Sequence, residues 1–198
     1  MNRSAMSRLK TLFAAGLLTL ALSACGPSEE PPLARARIGG EFDLVNKDGR
    51  YMHWRNFDGR YRIVYFGYTF CPDVCPTDVG NLMRGYGLFA KDHPRLADQV
   101  QPIFISVDPE RDTPARVGEF AAAFSPRLIG LTGSEREVAQ AARAFAVYYA
   151  KGEMTPGGYL VNHTRIAYLM DRDGKPLATL PSDLGAEAVA AELEKWVH

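Results

Sequence analysis

The chain has 198 residues, of which 46% are hydrophobic, and its 23 basic and 23 acidic residues give a formal net charge of zero. A chain of this length can bury a full hydrophobic core, so its folding does not depend on disulfides. The balanced charge provides none of the basic excess that nucleic-acid binding requires, and we expect no nucleic-acid partner.

The N-terminal residues are typical of an export signal. Three basic residues within the first ten positions precede a largely apolar stretch from Leu12 to Leu22. With a helical rise of about 1.5 Å per residue, this stretch reaches only about half of the roughly 30 Å hydrocarbon core of a bilayer. We therefore expect a segment that is removed after export, not a permanent membrane span.

The end of that segment resembles a bacterial lipoprotein signal. Small residues precede Cys25, and Leu22 stands three positions before it. We predict that residues 1–24 are removed and that Cys25 is lipidated as the N terminus of the mature protein. Ordinary signal cleavage, which would leave Cys25 as a free thiol, is the alternative. Loss of residues 1–24 removes three basic and no acidic residues and leaves a net charge of −3.

A flexible tether is predicted between the lipid and the folded domain. Residues 25–40 are rich in Pro, Glu, Ala and Arg and have little hydrophobic periodicity. A single domain then covers residues 41–198, with no internal repeat and no second linker. It opens with strands at 41–45 and 51–54 around an Asp-Gly turn, which predicts a β-hairpin.

Strands and helices alternate along the rest of the domain. Apolar runs predict strands at 61–66, 101–107, 128–131, 164–170 and 177–179. Helical patterns predict helices at 74–90, 114–124, 134–149 and 186–197, with a loop from Lys151 to His163. This order predicts an α/β sandwich with a mixed central sheet, flanking helices and an N-terminal hairpin. A thioredoxin-like order accounts for all of these elements.

Cys71 and Cys75 lie where the strand at 61–66 meets the following helix. The amides at a helix N terminus favour the thiolate, which is the form of cysteine that binds metal or exchanges disulfides. Residues four apart on a first helical turn share a face, so both sulfur atoms can converge on one ion. The pair is therefore a candidate for metal binding or for thiol–disulfide exchange.

A metal site with two thiolates needs a further donor, and His163 is the best placed of the four histidines. In a thioredoxin-like sheet, the segment entering the penultimate strand packs against the cysteine turn. We interpret the remaining histidines as structural or solvated: His53, His93 and His198. Met154, in the predicted loop, is a candidate soft donor, but a loop methionine is usually apolar filler, so we leave it out of the site. Two thiolates and an imidazole suit Cu(I) and accommodate Cu(II), whereas structural zinc sites usually have four protein ligands, so we expect copper.

Three segments in this order closely resemble the Sco/SenC family of copper-binding assembly proteins for cytochrome c oxidase. They are FGYTFCPDVCPTD at 66–78, SVDPERDTP at 106–114, and YLVNHT followed by RIAYLMDRDGK at 159–175. The resemblance extends from Gly40 to the C terminus. It implies a thioredoxin-like fold, copper ligands at Cys71, Cys75 and His163, and the copper-A site of oxidase subunit II as the recipient.

Two features depart from the pattern of that family. The anchor is predicted to be a lipid on Cys25, where many relatives have a membrane helix. The helix after Cys75 contains three glycines that either loosen it or permit close packing: Gly80, Gly85 and Gly87.

Asp108 ends a central strand on the side of the sheet where the cysteine turn is expected. We predict that its carboxylate orients a ligand or contacts a partner. An Asp-Pro turn combined with helix capping is the alternative role for this segment.

Several functions remain open for the cysteine pair. A copper chaperone would load copper on reduced thiols in an oxidising compartment and pass it to a partner's thiolates. A thiol–disulfide reductase would use Cys71 or Cys75 to attack the subunit II cysteines, although it gives no reason for His163. A copper-dependent redox sensor would use the same three residues. A thiol peroxidase is disfavoured because Thr69 forms Thr-x-Cys instead of Thr-x-x-Cys.

These expectations together describe a lipid-anchored protein on the exported side of a bacterial membrane, facing the periplasm. Its expected partners are oxidase subunit II and other periplasmic copper chaperones or thiol reductants. Copper delivery is the first hypothesis, and an additional oxidoreductase activity remains open.

Overall fold

The computed structural model describes residues 29–198, so the predicted signal at 1–24 and Cys25 lie outside the described residues. Pro31–His198 forms a compact unit. A mixed sheet with helices on both of its faces confirms the predicted α/β sandwich. Within the described range, no helix is both long enough and apolar enough to cross a membrane.

Most of the described strands join one mixed sheet. In chain order they are β1 (Asp43–Asn46), β2 (Tyr51–His53), β3 (Tyr61–Gly67), β4 (Val100–Ser106), β5 (Ile129–Thr132), β6 (Tyr149–Thr155), β7 (Gly158–His163), β8 (Ala167–Met170) and β9 (Pro176–Leu180). The sheet has the order β2-β1-β5-β4-β3-β8-β9, and β6 and β7 form a separate pair. On either side of the central β3, β4 is parallel and β8 is antiparallel.

Helices cover both faces of the sheet. They are α1 (Val74–Asp92), α2 (Pro94–Ala97), α3 (Pro114–Phe124), α4 (Glu135–Ala144) and α5 (Ala186–Trp196). Val64 and Phe66 of β3 pack into the core under α4, whereas Ile63 and Tyr65 pack into the core under α1, α3 and α5. This alternation follows from the two-residue period of a strand and leaves β3 buried along its whole length.

The prediction of a helix that continues to Tyr149 is wrong, because α4 ends at Ala144. Ala146 adopts the left-handed conformation with φ of 52°. The N–H of Val147 then donates to the carbonyl of Ala142 at 2.8 Å, which is the closing bond of a Schellman-type helix end. Since alanine occupies the place that glycine usually takes, the sequence carries no ordinary stop signal here.

The predicted loop at 151–163 is also wrong, because this segment belongs to the hairpin β6–β7. The two strands pair antiparallel from Tyr149 opposite His163 to Thr155 opposite Gly158. Gly158 has φ of 106°, and the Thr155 hydroxyl donates to its carbonyl at 2.7 Å. This turn requires glycine, but polar residues and a register shift within the hairpin obscure the alternation expected of a strand.

Part of the predicted tether packs against the domain. The N–H of Leu33 donates to the carbonyl of Leu177 at 3.0 Å, and the side chains of Leu33 and Ile38 contact the core. The folded unit therefore begins at Pro31, ahead of the boundary at residue 41 drawn from composition. Two apolar residues are enough for this packing. Composition did not predict it, because most of the residues around them are polar or small.

Gly85 permits the close packing of α1 against α5. A Cβ atom added at Gly85 would lie 2.6 Å from the carbonyl oxygen of Ala186 and 2.6 Å from Cβ of Val189. We therefore expect Gly85→Ala to lower the free energy of unfolding by about 1–3 kcal/mol through overpacking.

Gly87→Ala is the matched control for that substitution, because a Cβ there meets no described atom within 4 Å. It should raise the free energy of unfolding by about 0.5–1 kcal/mol, since alanine restricts the unfolded chain. Urea denaturation measures both changes. A loss of stability in both variants, or in neither, would contradict the close-packing role of Gly85.

Candidate metal centre

The two cysteines lie on the turn that joins β3 to α1. Cys71 is in the turn and Cys75 is in the first turn of α1, and both are free and buried. The backbone N–H of Cys75 donates to Sγ of Cys71 at 3.4 Å. Gly67 ends β3 beneath them, where an added Cβ would lie 3.2 Å from Sγ of Cys75. The absence of a side chain at Gly67 thus leaves the space that the Cys75 thiol occupies.

His163 reaches the same turn from the hairpin β6–β7. It is the last residue of β7, and its Nε2 lies 3.2 Å from Sγ of Cys75. Its Nδ1 lies 3.1 Å from the carbonyl oxygen of Thr164. A carbonyl can only accept, so Nδ1 carries the proton in this contact and the neutral ring directs the Nε2 lone pair at Cys75. This is the tautomer that a metal-binding Nε2 requires.

The pKa values of the three side chains are shifted from their ordinary values. Burial lowers the pKa of His163, so its imidazole is neutral at neutral pH. A hydrogen bond from the Cys75 thiol, reinforced by backbone N–H donors, lowers the pKa of Cys71 to about 5. The same bond and burial raise the pKa of Cys75. These shifts make Cys71 the more acidic thiol of the pair in the metal-free protein.

This assignment predicts an acid-shifted reactivity for Cys71. In the reduced, metal-free protein, alkylation of Cys71 by iodoacetamide should fall to half its maximum near pH 5. An unperturbed cysteine would reach that point near pH 8.5. Cys75→Ala removes the main hydrogen bond to the thiolate, so its midpoint should move to higher pH. Mass spectrometry of the Cys71 peptide measures both profiles, and a native midpoint near pH 8 would contradict the assignment.

Among residues 29–198, no three His, Cys, Asp or Glu side chains are gathered closely enough to form a complete metal cage. The structure nevertheless brings Cys75 and His163 into contact and holds Cys71 beside Cys75. Sulfur and nitrogen donors of this kind are suited to a soft metal ion.

Asp112, which the sequence did not single out, supports the cysteine turn from below. Its carboxylate is buried and accepts from the N–H of Thr69 at 2.9 Å and from the Thr69 hydroxyl at 2.5 Å. It also accepts from the hydroxyl of Ser106 at 2.6 Å. These charge-assisted bonds fix the turn just before Cys71. The signal available was an acid within the SVDPERDTP segment, but sequence reasoning selected Asp108 instead.

Asp78 and Arg165 join the two segments that carry the thiols and the imidazole. The buried carboxylate of Asp78 lies one helical turn after Cys75 and accepts from Nε of Arg165 at 3.1 Å and from Nη2 at 2.9 Å. The hydroxyl of Tyr65 also donates to it, at 2.9 Å. Since Arg165 follows His163 by two residues, this ion pair fixes the chain beside the histidine to α1.

Asp108 connects the end of β4 to the hairpin and does not touch the cysteines through any described hydrogen bond. It is buried, and it accepts from Nε of Arg111 at 2.6 Å and from the hydroxyl of Tyr159 at 2.7 Å. Arg111 also packs on the ring of Tyr159, with Cζ 3.6 Å from its centroid. Helix capping falls to Thr113, whose hydroxyl accepts from the N–H of Arg116. Asp108 thus helps to hold the hairpin that ends in His163.

A family model described as SCO1/SenC matches residues 30–198. The chain belongs to the SCO1/SenC family. Among curated relatives, the Arabidopsis thaliana protein SCO1 homolog 1, mitochondrial, is 44% identical over 142 residues. These residues cover 72% of this chain and 42% of that protein, so the chain spans less than half of that relative's length.

Two solved structures of copper-bound relatives match most of the chain. Arabidopsis thaliana ScoI with copper bound has a TM-score of 0.75 and 37% identity, and the match covers 80% of this chain and 96% of that one. Bradyrhizobium japonicum ScoI with copper bound has a TM-score of 0.72 and 39% identity, with 81% and 99% covered. The predicted family and its thioredoxin-like fold are confirmed.

The remaining histidines of this SCO1/SenC protein have other surroundings. His53 is exposed, and its Nδ1 lies 2.5 Å from a carboxylate oxygen of Asp43 in the opening hairpin. His93 follows the last residue of α1, and His198 ends the chain. Met154 is exposed on the hairpin β6–β7 and is not packed as filler. Its strand β6 pairs with β7 in the separate two-stranded sheet.

Proposed function

We propose that this protein binds one copper ion through Cys71, Cys75 and His163 and delivers it during the assembly of cytochrome c oxidase. The observation that carries the proposal is the contact between Cys75 Sγ and His163 Nε2 at 3.2 Å, with Cys71 bound to the Cys75 amide. Two thiolates and one imidazole match the preference of Cu(I). The copper bound in the two solved SCO1/SenC relatives supports the same choice of metal.

Each donor has a separate task in copper capture. The Cys71 thiolate is available at neutral pH and makes the first attachment. Cys75 must release its proton as it becomes the second ligand, so copper binding is linked to proton release. The Nε2 lone pair of His163 is already directed into the site, because its Nδ1 is tied to the Thr164 carbonyl.

The proposed recipient is the copper-A site of oxidase subunit II, reached by exchange of one protein's thiolates for the other's. Membership of the SCO1/SenC family supports this recipient. The protein would act in the cell envelope, on the exported side, where other periplasmic copper chaperones and thiol reductants supply copper and keep the cysteines reduced. Its copper is therefore cargo held for transfer.

Copper transfer tests this proposal directly. The copper-loaded protein is mixed anaerobically with the metal-free, reduced copper-A domain of subunit II, and copper is measured in each protein after separation. We expect copper to move to the recipient domain. Free Cu(I) at the same total concentration is the control for unassisted loading. Retention of copper by the loaded protein, or loading no faster than with free copper, would contradict the delivery role.

A second candidate function is reduction of the recipient's disulfide, favoured by the low pKa of Cys71 beside the Cys75 thiol. The Cys71 thiolate would attack one recipient sulfur, releasing the other as a thiolate and forming a mixed disulfide. Cys75 would then displace the second recipient thiolate, leaving a Cys71–Cys75 disulfide. Reduction would survive His163→Ala, whereas copper delivery would not, so assays of both activities on that variant separate the two functions.

We also propose that Cys25 is lipidated and holds the protein at the membrane, with residues 1–24 removed. The lipoprotein-like residues before Cys25 support this anchor. Mass spectrometry of the N-terminal peptide from membrane-purified protein tests it. An unmodified peptide that begins at Cys25, or a retained 1–24 segment, would contradict it.

A further inference from the structure

An exposed aromatic ring adjoins Cys71 in the sequence and contacts two arginines. Phe70 is 38% exposed, whereas Cys71 next to it is buried. Its ring centroid lies 4.8 Å from Cζ of Arg111 and 4.6 Å from Cζ of Arg116. These three residues are called the Phe70 patch.

The two arginines of the patch differ in how their charge is balanced. Arg111 pairs with the buried carboxylate of Asp108 at 2.6 Å, so it is held in place by the fold. Arg116 lies on the exposed side of α3, and within residues 29–198 no carboxylate forms an ion pair with it. Both guanidinium groups lie over the ring of Phe70, which attracts cations. Because the charge of Arg111 is already balanced by Asp108, Arg116 is the group of the patch that a carboxylate from outside the protein can pair with.

We propose that the Phe70 patch docks an acidic surface of the protein that receives copper, and this inference rests on the proposed delivery role. Aromatic and arginine side chains are enriched at the energetic centres of protein interfaces. Arg116 can take a carboxylate in a bidentate pair while Phe70 supplies apolar area. Residues 25–198 carry a net charge of −3, so the protein as a whole repels an acidic partner. A local positive charge beside Cys71 would therefore orient such a partner toward the thiols.

The test compares Arg116→Glu with Arg84→Glu. Arg84 is an exposed residue of α1 outside the patch, so its substitution makes the same change of charge at a different place. Association of the reduced, metal-free protein with the soluble copper-A domain of subunit II is followed by stopped-flow. For the native protein, the association rate should fall with added salt. At low salt, Arg116→Glu should slow association by about tenfold or more, and Arg84→Glu by no more than about twofold.

Copper loading of each variant separates this inference from the delivery role. Arg116→Glu should bind copper as the native protein does, because Arg116 contacts none of the proposed ligands in the described hydrogen bonds. If the native protein binds no copper, the delivery role fails, whereas the metal-free association still tests docking. Equal slowing by both substitutions, no salt dependence, or no native association would overturn the inference. Binding of the same variants to phosphatidylglycerol vesicles is measured as well. If Arg116→Glu weakened vesicle binding but not association with the copper-A domain, the inference would also be overturned, and the patch would be assigned to lipid.

Discussion

Replacing His163 by alanine is expected to lower the Cu(I) affinity of the reduced protein by at least about 100-fold. Loss of a group that only supports a ligand typically costs about 10–100-fold in metal affinity, and loss of the ligand itself should cost more. His163 is the only one of the three proposed donors that comes from a distant segment, and its Nε2 faces Cys75 at 3.2 Å. Anaerobic competition against a Cu(I) chelator measures the change.

His53→Ala is the matched control for that measurement. His53 is exposed and contacts Asp43 in the opening hairpin, so its loss should leave the Cu(I) affinity unchanged. Because His163 is partly buried, circular dichroism is used to check that both variants remain folded. An affinity of His163→Ala equal to that of His53→Ala would remove the histidine from the site.

The second large effect is expected for Arg165→Ala, which should lower the free energy of unfolding by about 3 kcal/mol. Breaking a buried ion pair from one side leaves an uncompensated charge and typically costs about 3–5 kcal/mol. Asp78 is 1% exposed, whereas the side chain of Arg165 is 45% exposed, so the lower end of that range applies. After the substitution, the Tyr65 hydroxyl is the remaining side-chain donor to Asp78 in the described residues.

The same substitution should lower Cu(I) affinity by about tenfold, because the chain next to His163 loses its tie to α1. Arg84→Ala is the control, since Arg84 is exposed on α1 and bonds to Asn81. Combining Asp78→Ala with Arg165→Ala should cost less than the sum of the two single losses, as expected for partners in contact. Additive losses, or an unchanged affinity in Arg165→Ala, would contradict the proposed coupling.

Local sequence signals predicted the framework of the site. The apolar run that becomes β3 and the cysteine turn after it placed both thiols at the start of a helix, and the structure has that arrangement. Thr113 and Pro114 likewise predicted the start of α3, which begins at Pro114. These features depend on residues close together in the chain, so one sequence suffices to recognise them.

Contacts between distant segments were not predictable in the same way. Asp112 bonds to Thr69 across 43 residues, and Asp78 bonds to Arg165 across 87. The type of residue does not reveal which of several carboxylates becomes buried. Asp108 and Asp112 share one segment, but the end of β4 directs Asp112 to the cysteine turn and Asp108 to the hairpin.

Two local predictions failed for a different physical reason. Helix α4 stops at a left-handed alanine, Ala146, where glycine would have been the recognisable signal. The hairpin β6–β7 has a shifted register and many exposed residues, so its alternation is weak. This second failure bears on function, since the hairpin carries His163 and is tied to the main fold through Tyr159 and Asp108.

X-ray absorption at the copper edge, on the reduced protein loaded with one equivalent of Cu(I), tests the proposed ligand set most directly. The native spectrum should contain two sulfur scatterers and one imidazole nitrogen per copper. Cys71→Ser and Cys75→Ser should each lose one sulfur, and His163→Ala should lose the imidazole signature. A native site with fewer than two sulfur ligands, or a spectrum unchanged by His163→Ala, would contradict copper binding through Cys71, Cys75 and His163.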